Sequence, residues 1–367
     1  MVSNFRFGII SDLHIAIPET IDKNPARFHL VEVSIPALEA ALSHLTSLDL
    51  DFLLLPGDLT KDGEKLNHQW LVKRLADLPF PVYVIPGNHD IPSLYGTETE
   101  IAFSDFPDYY RQFGYQDRDS QQLYYTREIL PGVQLIALNS NNFNTKGEQR
   151  GFLDKQQLSW LQKTLAEQKD KLILFTIHHN VIEHFPEQKS HPLGNRYMLQ
   201  DADSLLQILQ QHNVKLIFTG HLHAQNISQW HDILEICTGS LVSYPHPYRV
   251  VEINRNERQL DVKINSFTIK SLPEWTDLAT TSKEWMGDRS ELFMAKLLTL
   301  PPLNLSPQEA AKYAPQFRYF WSDFAAGDAM FDFPNLPTSL RKYFQSFSAV
   351  DERGKPALID NNTTITL

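Results

Sequence analysis

Cysteine is nearly absent from this 367-residue chain. Its single cysteine, Cys237, can close no intrachain disulfide and can join no thiolate cluster for zinc or iron–sulfur, so a reducing, cytoplasmic setting is expected. Long apolar runs are also missing. The opening MVSNFRFGIISD reaches an aspartate after a short apolar stretch, and no segment approaches the ~20 apolar residues of a membrane span. Positive charge is in deficit, with 33 Lys and Arg against 44 Asp and Glu and a net charge of -11. A phosphate polymer is normally gripped by a basic face, so composition weighs against nucleic acid as a partner. Internal repeats and low-complexity tracts are lacking as well.

What remains is an ordinary globular composition, 42% hydrophobic and 11% aromatic, sufficient for a sizeable core. The length suits one catalytic unit of roughly 250 residues with an appendage. In the first part, short β-prone runs at residues 5–10, 51–55, 81–85, 133–138, 171–177 and 214–219 alternate with amphipathic stretches at 36–48, 64–78, 154–168 and 202–212. This alternation predicts a layered α/β sheet. Strand-like runs at 239–244, 248–253 and 260–264 follow closely and predict a second, largely antiparallel sheet. Helical patterns return at 284–298, 306–324 and 337–347, separated by proline-rich breaks. Ser306-Pro307-Gln308-Glu309 reads as a capping box with proline in the first turn. The boundaries expected are a catalytic domain at 1–268, a helical appendage at 269–350 and a loosely ordered tail at 351–367.

Five apolar runs end in hard or imidazole donors: Asp12-Leu13-His14, Gly57-Asp58, Gly87-Asn88-His89-Asp90, His178-His179 and Gly220-His221-Leu222-His223. If these runs lie side by side in one sheet, their carboxyl ends converge on one crevice. In extended chain, residues two apart face the same way, so Asp12 and His14 could grip one ion, and His221 and His223 could likewise reach toward neighbouring ions. The glycines before Asp58, Asn88 and His221 would permit sharp turns and close approach. Carboxylate, amide oxygen and imidazole without sulfur suit manganese, iron, zinc or cobalt better than copper(I) or calcium. Two such ions, about 3.5–4 Å apart, can clamp the attacking and leaving oxygens of a displacement at phosphorus, with Asp58 as the bridging candidate.

This ordered series, D-x-H, G-D, G-N-H-D, paired histidines and G-H-x-H over roughly residues 5–265, resembles the calcineurin-like metallophosphoesterase superfamily. Gly57-Asp58-Leu59-Thr60-Lys61-Asp62-Gly63-Glu64 and Leu199-Gln200-Asp201-Ala202 resemble segments of class III cyclic nucleotide phosphodiesterases. The resemblance implies a four-layer α/β/β/α sandwich. It assigns a pair of divalent or mixed-valence ions, one to Asp12, His14, Asp58 and His223 and the other to Asp58, Asn88, His178 and His221. It further implies a metal-bridging hydroxide as nucleophile, His89 assisting the leaving oxygen, and Asp90 orienting the His89 ring. The expected reaction is hydrolysis of a small phosphodiester, foremost a 3′,5′-cyclic nucleotide. The alternatives are a glycerophosphodiester, a phosphomonoester, a nucleic acid, or a catalytically silent scaffold. Asn180 departs from the proline that often follows the paired histidines, and residues 103–125 match nothing in the pattern.

Outside these blocks, His29, His44, His68, His184, His191, His212, His231 and His246 read as packed or solvated. His179 reads equally as pocket wall or loop support. Asn195 and Arg196 could approach substrate from the loop after His178, although a loop arginine is most often solvated. Tyr313, Phe317, Tyr319, Phe320, Trp321 and Phe324 read as the appendage core, with a lid or a homo-oligomer contact as the alternative.

Overall fold

The computed structural model describes residues 4–22, 27–116, 122–256, 258–350 and 354–367. In chain order the elements begin with β1 (Asn4–Ile9), α1 (Ser34–Thr46), β2 (Phe52–Leu55), α2 (Lys65–Ala76) and β3 (Val82–Val84). Next come α3 (Phe106–Tyr109), β4 (Tyr125–Leu130), β5 (Val133–Ala137), a small hairpin of β6 (Asn141–Phe143) and β7 (Gln149–Gly151), α4 (Lys155–Glu167) and β8 (Leu172–Thr176). Then follow α5 (Ala202–Gln211), β9 (Leu216–Thr219), β10 (Asn226–Trp230), β11 (Ile233–Cys237), β12 (Pro247–Arg255) and β13 (Leu260–Thr268). The chain closes with α6 (Leu278–Thr299), α7 (Pro307–Tyr313), α8 (Phe320–Ala325), α9 (Thr338–Gln345) and β14 (Asn362–Thr366).

Two six-stranded sheets result, in the orders β14-β13-β12-β1-β2-β3 and β10-β11-β9-β8-β5-β4. The second sheet sorts its side chains by the two-residue period of a strand. Leu174, Leu216 and Phe218 enter a core shared with Phe7 and Phe52 of the first sheet, whereas Ile173, Phe175 and Ile217 pack with Leu161 and Leu165 of α4 and Leu205, Leu206 and Leu209 of α5. Phe7 meets Phe218 edge to face at 5.4 Å between ring centroids, marking the seam between sheets. Helices α1 and α2 cover the other face of the first sheet through Leu38, Leu42, Leu45, Leu71 and Leu75. The fold is the four-layer α/β/β/α sandwich with a C-terminal helical region.

The strand order corrects two expectations. The five ligand-bearing runs do not share one sheet: β1, β2 and β3 lie in the first and β8 and β9 in the second. The ends converge because the two parallel blocks stack across a common core. The runs at 248–253 and 260–264 are antiparallel strands, but β12 pairs with β1, so they extend the first sheet. Residues 239–244 form a turn instead of a strand; Leu241 N–H donates to Ser11 O (3.2 Å) and Ser240 Oγ–H to Asp12 O (2.9 Å). The second sheet is antiparallel at both edges, through the hairpin β10–β11 at one and the pair β4–β5 at the other.

The closing segment is also ordered differently from expectation. Residues 351–353 lie outside the described set, but β14 pairs antiparallel with β13 from Asn362↔Asn265 to Thr366↔Asp261. Its alternating sequence buries little, and ladder bonds with Thr366 Oγ1 donating to Asp261 (2.7 Å) hold it. The helical pattern at 306–324 breaks into α7, a 3-10 turn and α8, with the Ser306 cap and Glu309 reciprocating as expected. Phe317, Phe320 and Phe324 are buried with Phe331, Leu340 and Phe344 in a core that also takes in Phe185, Leu222 and Cys237 of the sandwich. The aromatic set is thus largely consumed within the chain.

Two buried histidines make the fold acid-sensitive. Burial depresses His68 to about 3 and His246 to about 4, so both are neutral in the folded chain near pH 7. The unfolded chain binds these protons near pH 6.5, so each group's contribution is intact above that value and is lost as pH falls, at up to about 1.4 kcal/mol per unit. Urea unfolding at pH 7 and pH 5 should therefore show a loss that His246→Asn reduces, since asparagine tolerates the positive φ of 57° found there. An unchanged pH dependence in the variant would refute the assignment.

Candidate metal centre

Local backbone, not strand pleat, aims the donors. Asp12 (φ 51°), His14 (42°), Asp58 (51°), His221 (65°) and His223 (57°) all lie in the left-handed region, past the ends of their strands. This corrects the expectation that Asp12 and His14 share a face by extended alternation. Each such residue costs roughly 1–2 kcal/mol relative to ordinary backbone, and their clustering marks a site over-determined by its surroundings. Gly57 itself adopts φ 98°. At Gly87 and Gly220 close approach is decisive: an added Cβ would stand 2.2 Å from Asp58 Oδ1 and 2.4 Å from Asp12 Oδ2, respectively.

The donors assemble into two groups that share Asp58. Asp12, His14, Asp58 and His223 present ligand atoms within 4.8 Å of one another, as do Asp58, His178 and His221. Asn88 joins the second group, its Oδ1 lying 3.2 Å from His178 Nε2. Within the first, His223 Nε2 is 3.1 Å from Asp12 Oδ1 and 3.4 Å from His14 Nε2. Asp58 Oδ1 accepts from His89 N–H at 2.8 Å. Its Oδ2 faces His14 Nε2 at 3.8 Å and His178 Nε2 at 3.3 Å but accepts no hydrogen bond. A buried carboxylate oxygen without a donor is costly and fits a cation shared between the groups.

The outer bonds orient the rings. His178 Nδ1 donates to Pro56 O at 2.8 Å, which presents Nε2 to the site. His221 Nε2 donates to Arg196 O at 3.2 Å, leaving Nδ1 as its ligand atom. Burial, reinforced by neighbouring histidines, holds His14 and His221 well below the ordinary imidazole range, in the neutral form that binds metals. Burial opposes charge on Asp58, yet His178 and His89 outweigh it and keep the carboxylate ionised.

His89 lies beside the first group, its ring centroid 4.7 Å from that of His14. Its Nδ1 bonds Lys61 O at 2.8 Å and lies 3.1 Å from Asp62 Oδ1. This differs from the expectation that Asp90 orients the ring. Asp90 instead accepts from Thr60 N–H (2.9 Å), Thr60 Oγ1–H (3.1 Å) and Gly87 N–H (2.8 Å), so it knits the Gly57 and Gly87 turns together. The Thr60–Glu64 stretch thereby acquires a purpose as the seat of His89. His68 and Tyr110 support that seat from below, His68 bonding Tyr110 OH at 2.8 Å, which gives the unmatched 103–125 segment a packing role; residues 117–121 lie outside the described set.

Asn180, the departure after the paired histidines, has a buried partner set. Its amide reaches Thr219 Oγ1 and Glu235 Oε1, both at 3.2 Å, while Glu235 also accepts from Val181 N–H (3.0 Å), Ile182 N–H and Thr219 Oγ1–H (2.8 Å) and faces His184 Nε2 (3.0 Å). This network fixes the His178 loop to the β9 end that carries His221, and breaking such a buried set typically costs about 3–5 kcal/mol. His179 is buried against Ser140 Oγ (2.8 Å) and packs on His221 at 4.2 Å between ring centroids, so it both supports the centre and lines the cavity.

The centre opens into a cavity of about 1060 Å³. Asn195 and Arg196 line it, as do Met286, Phe293, Trp321 and Phe324 from the C-terminal helices. Sequence reasoning gave Met286 and Phe293 no place at the site, reached Trp321 and Phe324 only through the lid alternative, and set His29 aside. The structure brings His29 within reach of His14 and His223. No motif spacing signalled it; only the folded loop does.

The family model for calcineurin-like phosphoesterases matches residues 5–225. Among curated relatives, one from Arcobacter nitrofigilis named "Probable glycerophosphodiester phosphodiesterase" is 27% identical over 63% of this chain and 76% of its own. One from Fibrobacter succinogenes named "Probable cyclic nucleotide phosphodiesterase" is 25% identical over 74% of this chain and 87% of its own. Another so named, from Vesicomyosocius okutanii, is 26% identical over 51% and 68%. A dimetal phosphatase from Danio rerio shares the fold, with TM-score 0.55 at 15% identity over 72% of this chain and 98% of the other.

Among the described residues no helix is long and apolar enough to cross a membrane. Gly87→Ala should lose roughly tenfold or more in metal affinity, since its methyl would stand 2.2 Å from Asp58 Oδ1 and 2.3 Å from the Asp58 backbone nitrogen. Calorimetric titration with manganese checks this, and wild-type affinity would contradict it. With its matched profile, ordered donor blocks and shared aspartate, the chain belongs to the calcineurin-like phosphoesterase family and is a metal-dependent phosphoesterase.

Proposed function

We propose that the protein hydrolyses a small phosphodiester, foremost a 3′,5′-cyclic nucleotide, in a reducing cytoplasm. Asp12, His14, Asp58 and His223 would hold one ion, and Asp58, Asn88, His178 and His221 the other. The donor set suits manganese, iron, zinc or cobalt. When bound, the pair supplies an activated water and neutralises charge on the phosphoryl oxygens. The observation that carries this reading is Asp58, shared by both groups with Oδ2 left without a donor.

The chain's own residues would complete the reaction. With Nδ1 of His89 committed to Lys61 O and Asp62, Nε2 is the atom left to exchange a proton with the cavity. Burial works against the imidazolium, but Asp58 and Asp62 raise His89 to about 9. Asp62, 3.1 Å from Nδ1 and outside the donor set, would hold that proton. His89 then protonates the departing ribose oxygen as the P–O bond breaks, giving a nucleoside monophosphate. Names of several curated relatives support the cyclic nucleotide, and the apolar wall of Met286, Phe293 and Trp321 offers surface for a base.

Manganese-dependent hydrolysis of bis(p-nitrophenyl) phosphate should exceed that of p-nitrophenyl phosphate, and cyclic nucleotides should be cleaved. A monoester preference would overturn the reading, and cleavage of glycerophosphodiesters alone would reassign the substrate. His89→Ala should reduce kcat roughly 10²–10⁴-fold on a cyclic nucleotide, whose alkoxide leaves only with a proton. Its effect on bis(p-nitrophenyl) phosphate, with an acidic leaving group, should be much smaller. Equal losses on both substrates would remove His89 as the proton donor.

A further inference from the structure

We propose that His29 is an additional ligand of the ion held by Asp12, His14, Asp58 and His223, and that helix α6 keeps it in place. The inference rests on the two-ion reading and extends it to a residue outside every motif.

Ring nitrogens of His14, His29 and His223 lie within 4.8 Å of one another, a group that joins that of Asp12 and Asp58 through His14 and His223. The ring of His29 sits 4.4 Å from that of His14 and 4.6 Å from that of His223, centroid to centroid. Buried His14 Nδ1 is without a hydrogen-bond partner, and His29 itself is half-buried. Three ring nitrogens gathered at this distance can offer their lone pairs to one cation together.

The loop holding His29 is fixed from outside the sandwich. Trp285 Nε1–H of α6 donates to Phe28 O at 3.1 Å, and Arg289 Nε–H, one turn later, to Arg27 O at 2.8 Å. The Arg289 guanidinium stacks over the Trp285 ring at 3.4 Å, which stiffens both donors. Arg27 Nε–H in turn donates to His29 O at 2.9 Å, and Leu30 N–H to Val242 O at 3.0 Å. The carbonyls of residues 27, 28 and 29 and the N–H of Leu30 are therefore all held. This gives α6 a role at the centre that the motif residues, all in the sandwich, do not reveal.

Cobalt(II) titration of the apoprotein, followed by calorimetry and visible absorption, tests this with circular dichroism as a fold control. The wild type should take up a pair of ions. His29→Ala should bind one of them about tenfold or more weakly, with an altered ligand-field band, and the other within roughly threefold of wild type. Trp285→Phe, which keeps an aromatic ring for Arg289 to stack on but removes the indole N–H, should weaken the same ion by a smaller factor. If His29→Ala binds both ions with wild-type affinity and spectrum, the inference fails while the two-ion reading stands. If the wild type takes up no pair, both fail.

Discussion

The Asp58 carboxylate is the interaction on which the rest depends. One oxygen is fixed by the His89 amide and the other has no hydrogen-bond donor, in a buried position between histidines from opposite sheets. An arrangement of this kind is unfavourable for the protein alone and becomes favourable when cations occupy it. Binding would therefore stabilise the seam where β2 meets β8, and the fold and the chemistry share one electrostatic requirement.

The surrounding backbone is built to tolerate that requirement. Left-handed conformations at five donors, and glycines whose Cβ would strike Asp58 or Asp12, place side chains where ordinary strand ends could not. The buried Asn180–Glu235 network and the Asp90 carboxylate brace those turns from behind. Such bracing explains why strain can persist without melting the loops: the network bonds would be lost on relaxation.

The donor blocks were legible because each is short, ends an apolar run and follows the others in order. The sandwich itself was legible from the alternation of runs. Sheet assignment was not, because pairing partners are non-local and nothing within β12 says that its neighbour is β1. The β10–β11 hairpin escaped because Glu235, a buried acid satisfied only in three dimensions, interrupts its apolar pattern. Asp62 was passed over in favour of Asp90 because the two carboxylates exchange roles only once the Gly57 turn is formed. His29 and the cavity wall from Met286, Phe293 and Trp321 depend on how the C-terminal helices fold back across the site, which no spacing encodes.

The central claim, that one aspartate joins two ions, is tested most directly by electron paramagnetic resonance of the manganese(II)-loaded protein. Ions about 3.5–4 Å apart across a carboxylate should give an exchange-coupled signal. The account predicts that signal in the wild type and its replacement by that of isolated ions in Asp58→Asn. Isolated-ion signals from fully loaded wild-type protein, or coupling that survives Asp58→Asn unchanged, would contradict it.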